Sequence, residues 1–266
     1  ASPTVLSGGP ENVFDVADTG AVVLAGDDTA GAPPRARVVT DGQRRRDVGF
    51  GDVRLNASYA LTPGERAPGT GRPPRDRLAA AGLEHQSTVR MTGAVTLRST
   101  SYGPPTVRLP ELQPFAAFDG DPASAWVGQG QRGALGQSID VALSRAVDPG
   151  HLTVRLLDDP RWSRVTRLRI TTSRGARTTR LTRSGGPQRV VVPPGATRSI
   201  RIEIVGVIGP FGAGLREVTI PGVTVDRSLR VPTDQDEAGP TAWVPRRGTA
   251  DPFEATRGDG EPRQRR

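Results

Sequence analysis

From about residue 87 onward the apolar residues recur at every second position in short bursts, and Gly, Pro or Asp separates one burst from the next. Ile139, Val141 and Leu143 share one face of an extended segment, and Ile200, Ile202 and Ile204 repeat the pattern. A period of two is that of half-buried strands. The spacing therefore predicts strands over Val89 to Arg98, Leu135 to Leu143, His151 to Leu157, Val165 to Thr172, Arg177 to Thr182, Arg189 to Val192, Ser199 to Val205 and Leu215 to Ile220. About eight short strands with turns between them indicate a β-sandwich of jelly-roll type.

The first part of the chain reads differently. Thr4 to Leu6 is a strand, Gly8-Gly9-Pro10 a turn, Glu11 to Asp18 a brief helix with Pro10 near its start, and Ala21 to Ala25 and Ala36 to Thr40 further strands. This is a small α/β unit. Its Gly-Gly-Pro-Glu turn has neither dinucleotide spacing nor a P-loop lysine, so the pattern does not support a nucleotide site. Residues 62–86, rich in Pro, Gly and Arg, read as a connection with a possible short helix near Arg77 to Ala81. The expected organisation is a unit over 1–61, the connection, a sandwich over 87–232, and over 233–266 a polar tail or the start of a following domain. The fold class is mainly β.

Composition narrows this further. With 33 glycines and 25 prolines the chain suits many turns and not a helical protein. It has no cysteine, which excludes disulfides, thiolate metal sites and a cysteine nucleophile. No apolar run approaches the roughly 20 residues of a membrane span, and no signal peptide is visible. The single methionine is Met91 and the last residue, Arg266, falls in polar sequence, so the chain reads as a segment of something longer.

The net charge is +8 and every basic residue is arginine. Eleven arginines and no carboxylate lie between Arg161 and Arg201, many alternating with apolar or threonine positions, so on strands much of that charge would share one face. Such a face could bind an anionic polymer, lipid headgroups or phosphorylated carbohydrate, or simply be solvated. Nucleic acid is not expected, because the stretch holds only Trp162 for base stacking and no zinc-finger spacing occurs.

Candidate chemistry centres on Ala116 to Trp126. Asp119, Asp121 and Ser124 sit on a backbone that Gly120 and Pro122 bend, which would let their oxygens converge on a hard cation taking about six to eight oxygen ligands. The same Asp-Gly-Asp-Pro run is also ordinary turn chemistry. His85 and His151 lie far apart without a Gly-x-Ser-x-Gly elbow, and Asp158-Asp159 opens a turn, so these residues are not expected to be catalytic. Arg161, Trp162 and Phe211, the last between Pro210 and Gly212, are the candidate ligand-binding residues on loops; packing is the alternative role for each.

Three stretches carry a resemblance: Phe118 to Trp126, Gly136 to Leu143, and Gly214 to Val218. Together they resemble the discoidin-like, galactose-binding-domain family of carbohydrate-binding modules over roughly residues 87–225. The resemblance implies a discoidin-like jelly roll, Trp126 in the core, and a structural calcium ion held by Asp119, Asp121, Ser124 and Glu217 with backbone carbonyls.

Gly8-Gly9-Pro10-Glu11, Val22 to Asp27, Val39 to Arg46, Phe50-Gly51 and Asn56-Ala57-Ser58 are similar to the soluble region of the large actinobacterial α-(1→3)-arabinofuranosyltransferases. That resemblance implies the extracytoplasmic face of the cell membrane, a membrane domain elsewhere in the same parent chain that carries catalysis, and cell-wall arabinan or arabinogalactan as partner. The alternative is a freestanding interaction module that binds an anionic polymer or membrane surface through the arginine-rich face.

Overall fold

The computed structural model describes residues 4–7, 23–25, 36–40, 60–63, 65, 88–104, 109–131, 133–230 and 242–244. The expected helices at Glu11 to Asp18 and Arg77 to Ala81, and His85, lie outside the described residues. The chain forms two compact units, one gathering residues 1–66, 72–90 and 228–266, the other 67–71 and 91–227.

In the first unit β1 (Thr4–Ser7) pairs in parallel with both β2 (Val23–Ala25) and β3 (Ala36–Thr40). Parallel neighbours need crossover connections, which the intervening segments are long enough to supply. Two strands follow, β4 (Thr88–Thr92) and β5 (Ala94–Ser99), where the spacing suggested one; Gly93 separates them.

The second unit is a sandwich of two antiparallel sheets. Its strands are β5, β6 (Trp126–Gly128), β7 (Ser138–Val147), β8 (His151–Leu156), β9 (Arg164–Thr172), β10 (Gly175–Arg180), β11 (Gln188–Val191), β12 (Thr197–Ile208) and β13 (Ala213–Thr219). One sheet has the order β10-β9-β12-β7-β5 and the other β11-β8-β13-β6. Successive strands change sheets except at the β9–β10 hairpin, which is the alternation of a jelly roll. The expected mainly β fold with a jelly-roll sandwich is the fold found. β14 (Asp226–Arg230) then pairs with β4, and in the stretch expected as a polar tail or the start of a following domain β15 (Ala242–Val244) pairs in parallel with β3. The first unit's sheet therefore reads β15-β3-β1-β2, and the sandwich is inserted in sequence between two of its neighbouring strands.

The period of two decides the core. Ile139, Val141 and Leu143 on β7, Val165, Leu168 and Ile170 on β9, and Ile200, Ile202 and Ile204 on β12 are all buried, facing Leu152, Val154 and Leu156 on β8 and Leu215 and Val218 on β13. Trp126 is wholly buried, as the resemblance implied, and its indole N–H is satisfied by the Ser101 carbonyl at 3.0 Å.

β6 and β13 approach too closely for any side chain at Gly214, where an added Cβ would lie 2.0 Å from the Trp126 carbonyl oxygen. Gly120 differs: it has open space around it but a φ of +73°. We expect Gly214→Ala to lose at least about 3 kcal/mol in urea unfolding, because backbone must move, whereas Gly120→Ala should lose only about 1 kcal/mol of conformational strain. Equal losses would show that β6 and β13 can separate without damage to the core.

Candidate functional site

The Asp119 turn is built by its own side chains. Asp119 Oδ1 accepts the Asp121 N–H at 2.9 Å, and Asp121 Oδ1 accepts the Ala123 N–H at 2.8 Å. These are the local bonds that make Asp a turn former. Buried Ser124 lies within 2.9 and 3.0 Å of the two Asp119 carboxylate oxygens and within 3.0 Å of the Ala116 and Asp121 carbonyls. Ser124 thus ties the turn to the short 3-10 segment Pro114–Ala117 before it.

Strand β13 holds the turn from the other side. The Arg216 guanidinium donates to the Pro122 carbonyl. Glu217 accepts backbone N–H groups of Gly120 and Val218, and its carboxyl is pushed up to about 7 by burial and then by the facing Asp119 charge; those two hydrogen bonds and Arg155 oppose the shift. Glu217 and Asp119 therefore meet, although 98 residues separate them (217 − 119). Among the described residues no three acids or histidines converge on one point. The turn thus gathers Asp119, Asp121 and Ser124, and β13 brings Glu217 to Asp119, so all four expected cation ligands lie in one region, the first three also holding the turn by their own hydrogen bonds.

The three loop candidates have different surroundings. Arg161 is exposed, with Nη2 2.6 Å from Asp159 Oδ2 and Nε 3.0 Å from Oδ1. Asp159 is held down at about 2, first by the Arg161 side-chain hydrogen bond and then by the Arg161 backbone N–H. Trp162 is half-buried and packs, with Leu112, on Ala125, Val127 and Leu157. Phe211 is 54% exposed.

Ser163 joins the loops of the last two. Its N–H donates to the Gly212 carbonyl at 2.7 Å, its hydroxyl donates to the Phe211 carbonyl at 2.9 Å, and the Phe211 N–H reaches the same hydroxyl at 2.7 Å. Phe211 is therefore displayed on a braced loop. Next to it Gln129 packs against Gly212, whose added Cβ would be 2.9 Å from Gln129 Cβ. Behind lies a polar chain, in which the Gln129 N–H donates to Ser101 Oγ at 2.9 Å and the Ser101 and Thr100 hydroxyls donate to Gln137 Oε1 at 2.5 and 2.7 Å. Sequence reading missed these residues. Gln137 falls within the Gly136 to Leu143 stretch without being singled out, Gln129 has no motif, and only the pairing of β6 with β13 brings Gln129 beside Gly212.

The arginine face is real but partly neutralised. Arg167, Arg169 and Arg201 are exposed on the five-stranded sheet, yet Arg169 pairs with Glu203 at 2.7 Å and Arg201 lies 3.7 Å from Asp140. The acids come from outside the acid-free run, across the strands.

A family described as alpha-(1->3)-arabinofuranosyltransferase, N-terminal GT-C domain, matches residues 1–73. The alpha-(1->3)-arabinofuranosyltransferase of Mycobacterium tuberculosis is 30% identical over 185 residues, 68% of this chain and 13% of the relative. The chain is similar to a region of the α-(1→3)-arabinofuranosyltransferases. That of Mycolicibacterium smegmatis is 29% identical over 190 residues, 70% of this chain and again 13% of the relative. The cryo-EM structure of arabinofuranosyltransferase AftD from Mycobacteria superposes with a TM-score of 0.70 at 26% identity, over 92% of this chain and 21% of that one. The chain spans about an eighth of the length of the curated relatives it matches, 13% in each case. Among the described residues no helix is long and apolar enough to cross a membrane.

The raised Glu217 carboxyl gives a signed pH dependence. A group whose folded value lies above its unfolded one of 4.5 stabilises fully below that value, and the contribution is lost as pH rises through about 7. Glu217→Gln should therefore flatten the fall in stability between roughly pH 5 and 8, and gain on the order of 1 kcal/mol at the upper end after allowance for solvent screening. Chemical unfolding at both pH values checks this; an equal loss at each would mean that Glu217 acts only by packing.

Proposed function

We propose that this segment is a non-catalytic glycan-binding and scaffolding part of a membrane arabinofuranosyltransferase of cell-wall arabinan biosynthesis, standing on the extracytoplasmic face beside the membrane domain of the same parent chain. The observation that carries this reading is Phe211, more than half exposed on a loop braced by Ser163, with Gln129 packed against the adjacent Gly212. An exposed aromatic ring offers the apolar face of a pentose or hexose a surface, and an adjacent amide offers both a donor and an acceptor for its hydroxyls. Similarity to a region of the arabinofuranosyltransferases supports arabinan or arabinogalactan as the glycan. Trp162 braces this end from below, and Arg161 is tied to Asp159, so Phe211 and Gln129 carry the recognition.

Calcium at the Asp119 turn is part of the same reading. Asp119, Asp121 and Glu217 would supply the charged oxygens; burial first and then the facing Asp119 charge raise the Glu217 carboxyl, and the second of these is what a divalent cation would relieve. Its role would be to fix the turn against β13.

Two measurements test these statements. Arabinan or galactan oligosaccharides titrated by NMR should shift signals of Gln129, Ser163 and Phe211, and Phe211→Ala should weaken binding by about 10-fold, the scale of one buried aromatic contact. Absence of shifts in these loops would sink the glycan assignment. Calcium should raise the melting temperature of the chain by binding only the folded form, and Asp119→Asn should abolish the effect. An unchanged melting temperature at millimolar calcium would leave the turn metal-free.

A further inference from the structure

A second surface, on the five-stranded sheet, goes beyond the glycan reading. Arg167 on β9 and Arg180 on β10 are direct cross-strand partners on the outer face of the five-stranded sheet, and both are exposed. Like charges placed opposite one another on a sheet are destabilising. The neighbouring arginines are relieved by Glu203 and Asp140, but neither Arg167 nor Arg180 has a carboxylate partner among the described residues.

The fold also makes room for Arg167. Its partner on β12 is Gly206, at a point where the register shifts, and an added Cβ there would lie 2.8 Å from both Arg167 Nε and Thr166 Oγ1. The arginine side chain therefore lies over the space beside Gly206. Two exposed aliphatic residues belong to the neighbouring stretches of backbone. Ile208, two residues along β12, is 59% exposed, and Leu135 is 54% exposed beside Gly136, whose N–H bonds the Ile204 carbonyl at 2.9 Å.

We infer that this patch docks on a membrane surface bearing anionic phosphate headgroups. Guanidinium groups pair with phosphate oxygens bidentately, and two of them side by side repel each other less once an anion lies between them. The flanking Ile208 and Leu135 decide between a bilayer and a soluble polyanion. A polysaccharide or polyphosphate would leave both aliphatic chains hydrated, whereas the headgroup boundary of a bilayer buries them. Arginines at such a surface contribute on the order of 1 kcal/mol each, so the interaction is reversible and salt-sensitive.

Co-sedimentation of the 266-residue chain with phosphatidylcholine vesicles, with and without phosphatidylglycerol, tests this. Binding is expected only to the phosphatidylglycerol vesicles. Arg167→Gln with Arg180→Gln should weaken it about 30-fold, and Ile208→Ser with Leu135→Ser should weaken it with every charge retained. All four residues are exposed, and matched melting temperatures would confirm that the variants fold. Unchanged vesicle affinity in the arginine variant would overturn the proposal. So would full affinity in the aliphatic variant combined with equal competition by soluble polyphosphate, which would assign the patch to polyanions in solution. Oligosaccharide shifts at Phe211 that persist in the arginine variant would separate failure of this inference from failure of the glycan reading.

Discussion

The close passage of β6 against β13 is the constraint on which the functional end of the sandwich depends. Gly214 permits it, and the wholly buried Trp126 fixes its depth. Because Leu215 pairs with both Trp126 on one side and Leu156 on the other, β13 takes its position from two strands at once. The segments at its two ends inherit that position. Phe211 and Gly212 lead into β13 and meet Ser163, whereas Arg216 and Glu217 within it grip the Asp119 turn. One backbone contact thus sets the placement of both the aromatic loop and the acidic turn.

Two neighbourhoods treat carboxylates in opposite ways. Asp159 lies at the surface with Arg161 wrapped on it, and the guanidinium keeps it ionised to about 2. Glu217 is partly withdrawn from water and faces Asp119, so its neutral form is favoured up to about 7. The difference is not in residue type but in what lies opposite. A surface pair of the first sort adds little to stability, whereas the second stores an unfavourable interaction that folding elsewhere must offset. Glu217 takes up a proton near neutrality, and Asp159 does so only in strong acid.

Much of the sandwich was legible because most inward positions recur at every second residue, as with Ile200, Ile202 and Ile204, and the period breaks only where the register shifts, as between Val165 and Leu168. The meeting of Asp119 with Glu217 was legible only through resemblance, since no spacing rule connects residues so far apart. What stayed hidden depends on pairing across strands. The acid-free run from Arg161 to Arg201 suggested a uniformly basic face, but Asp140 on β7 and Glu203 just past the run neutralise part of it. Ala242–Val244 sits in polar surroundings with three residues of strand, too short for a periodic signal, and only its parallel pairing with β3 reveals it. Gln129 and Ser163 carry no motif at all; their roles come from the backbone that meets them.

The two surfaces differ in the element that carries their polar groups. Phe211 belongs to the loop between the sheets, where a ring can stand clear of the backbone and a neighbouring amide can turn toward a hydroxyl. Arg167 and Arg180 belong to a sheet face, where side chains project in fixed rows with strands about 4.8 Å apart and present charge at a repeating interval. A loop suits recognition of one small uncharged shape, because its few contacts can be individually directed. A row of guanidinium groups suits an extended anionic surface, which needs no register with the protein. The jelly roll keeps these chemistries on different elements, so under the two proposals a rise in salt would weaken the second and leave the first, which would release few ions, nearly untouched.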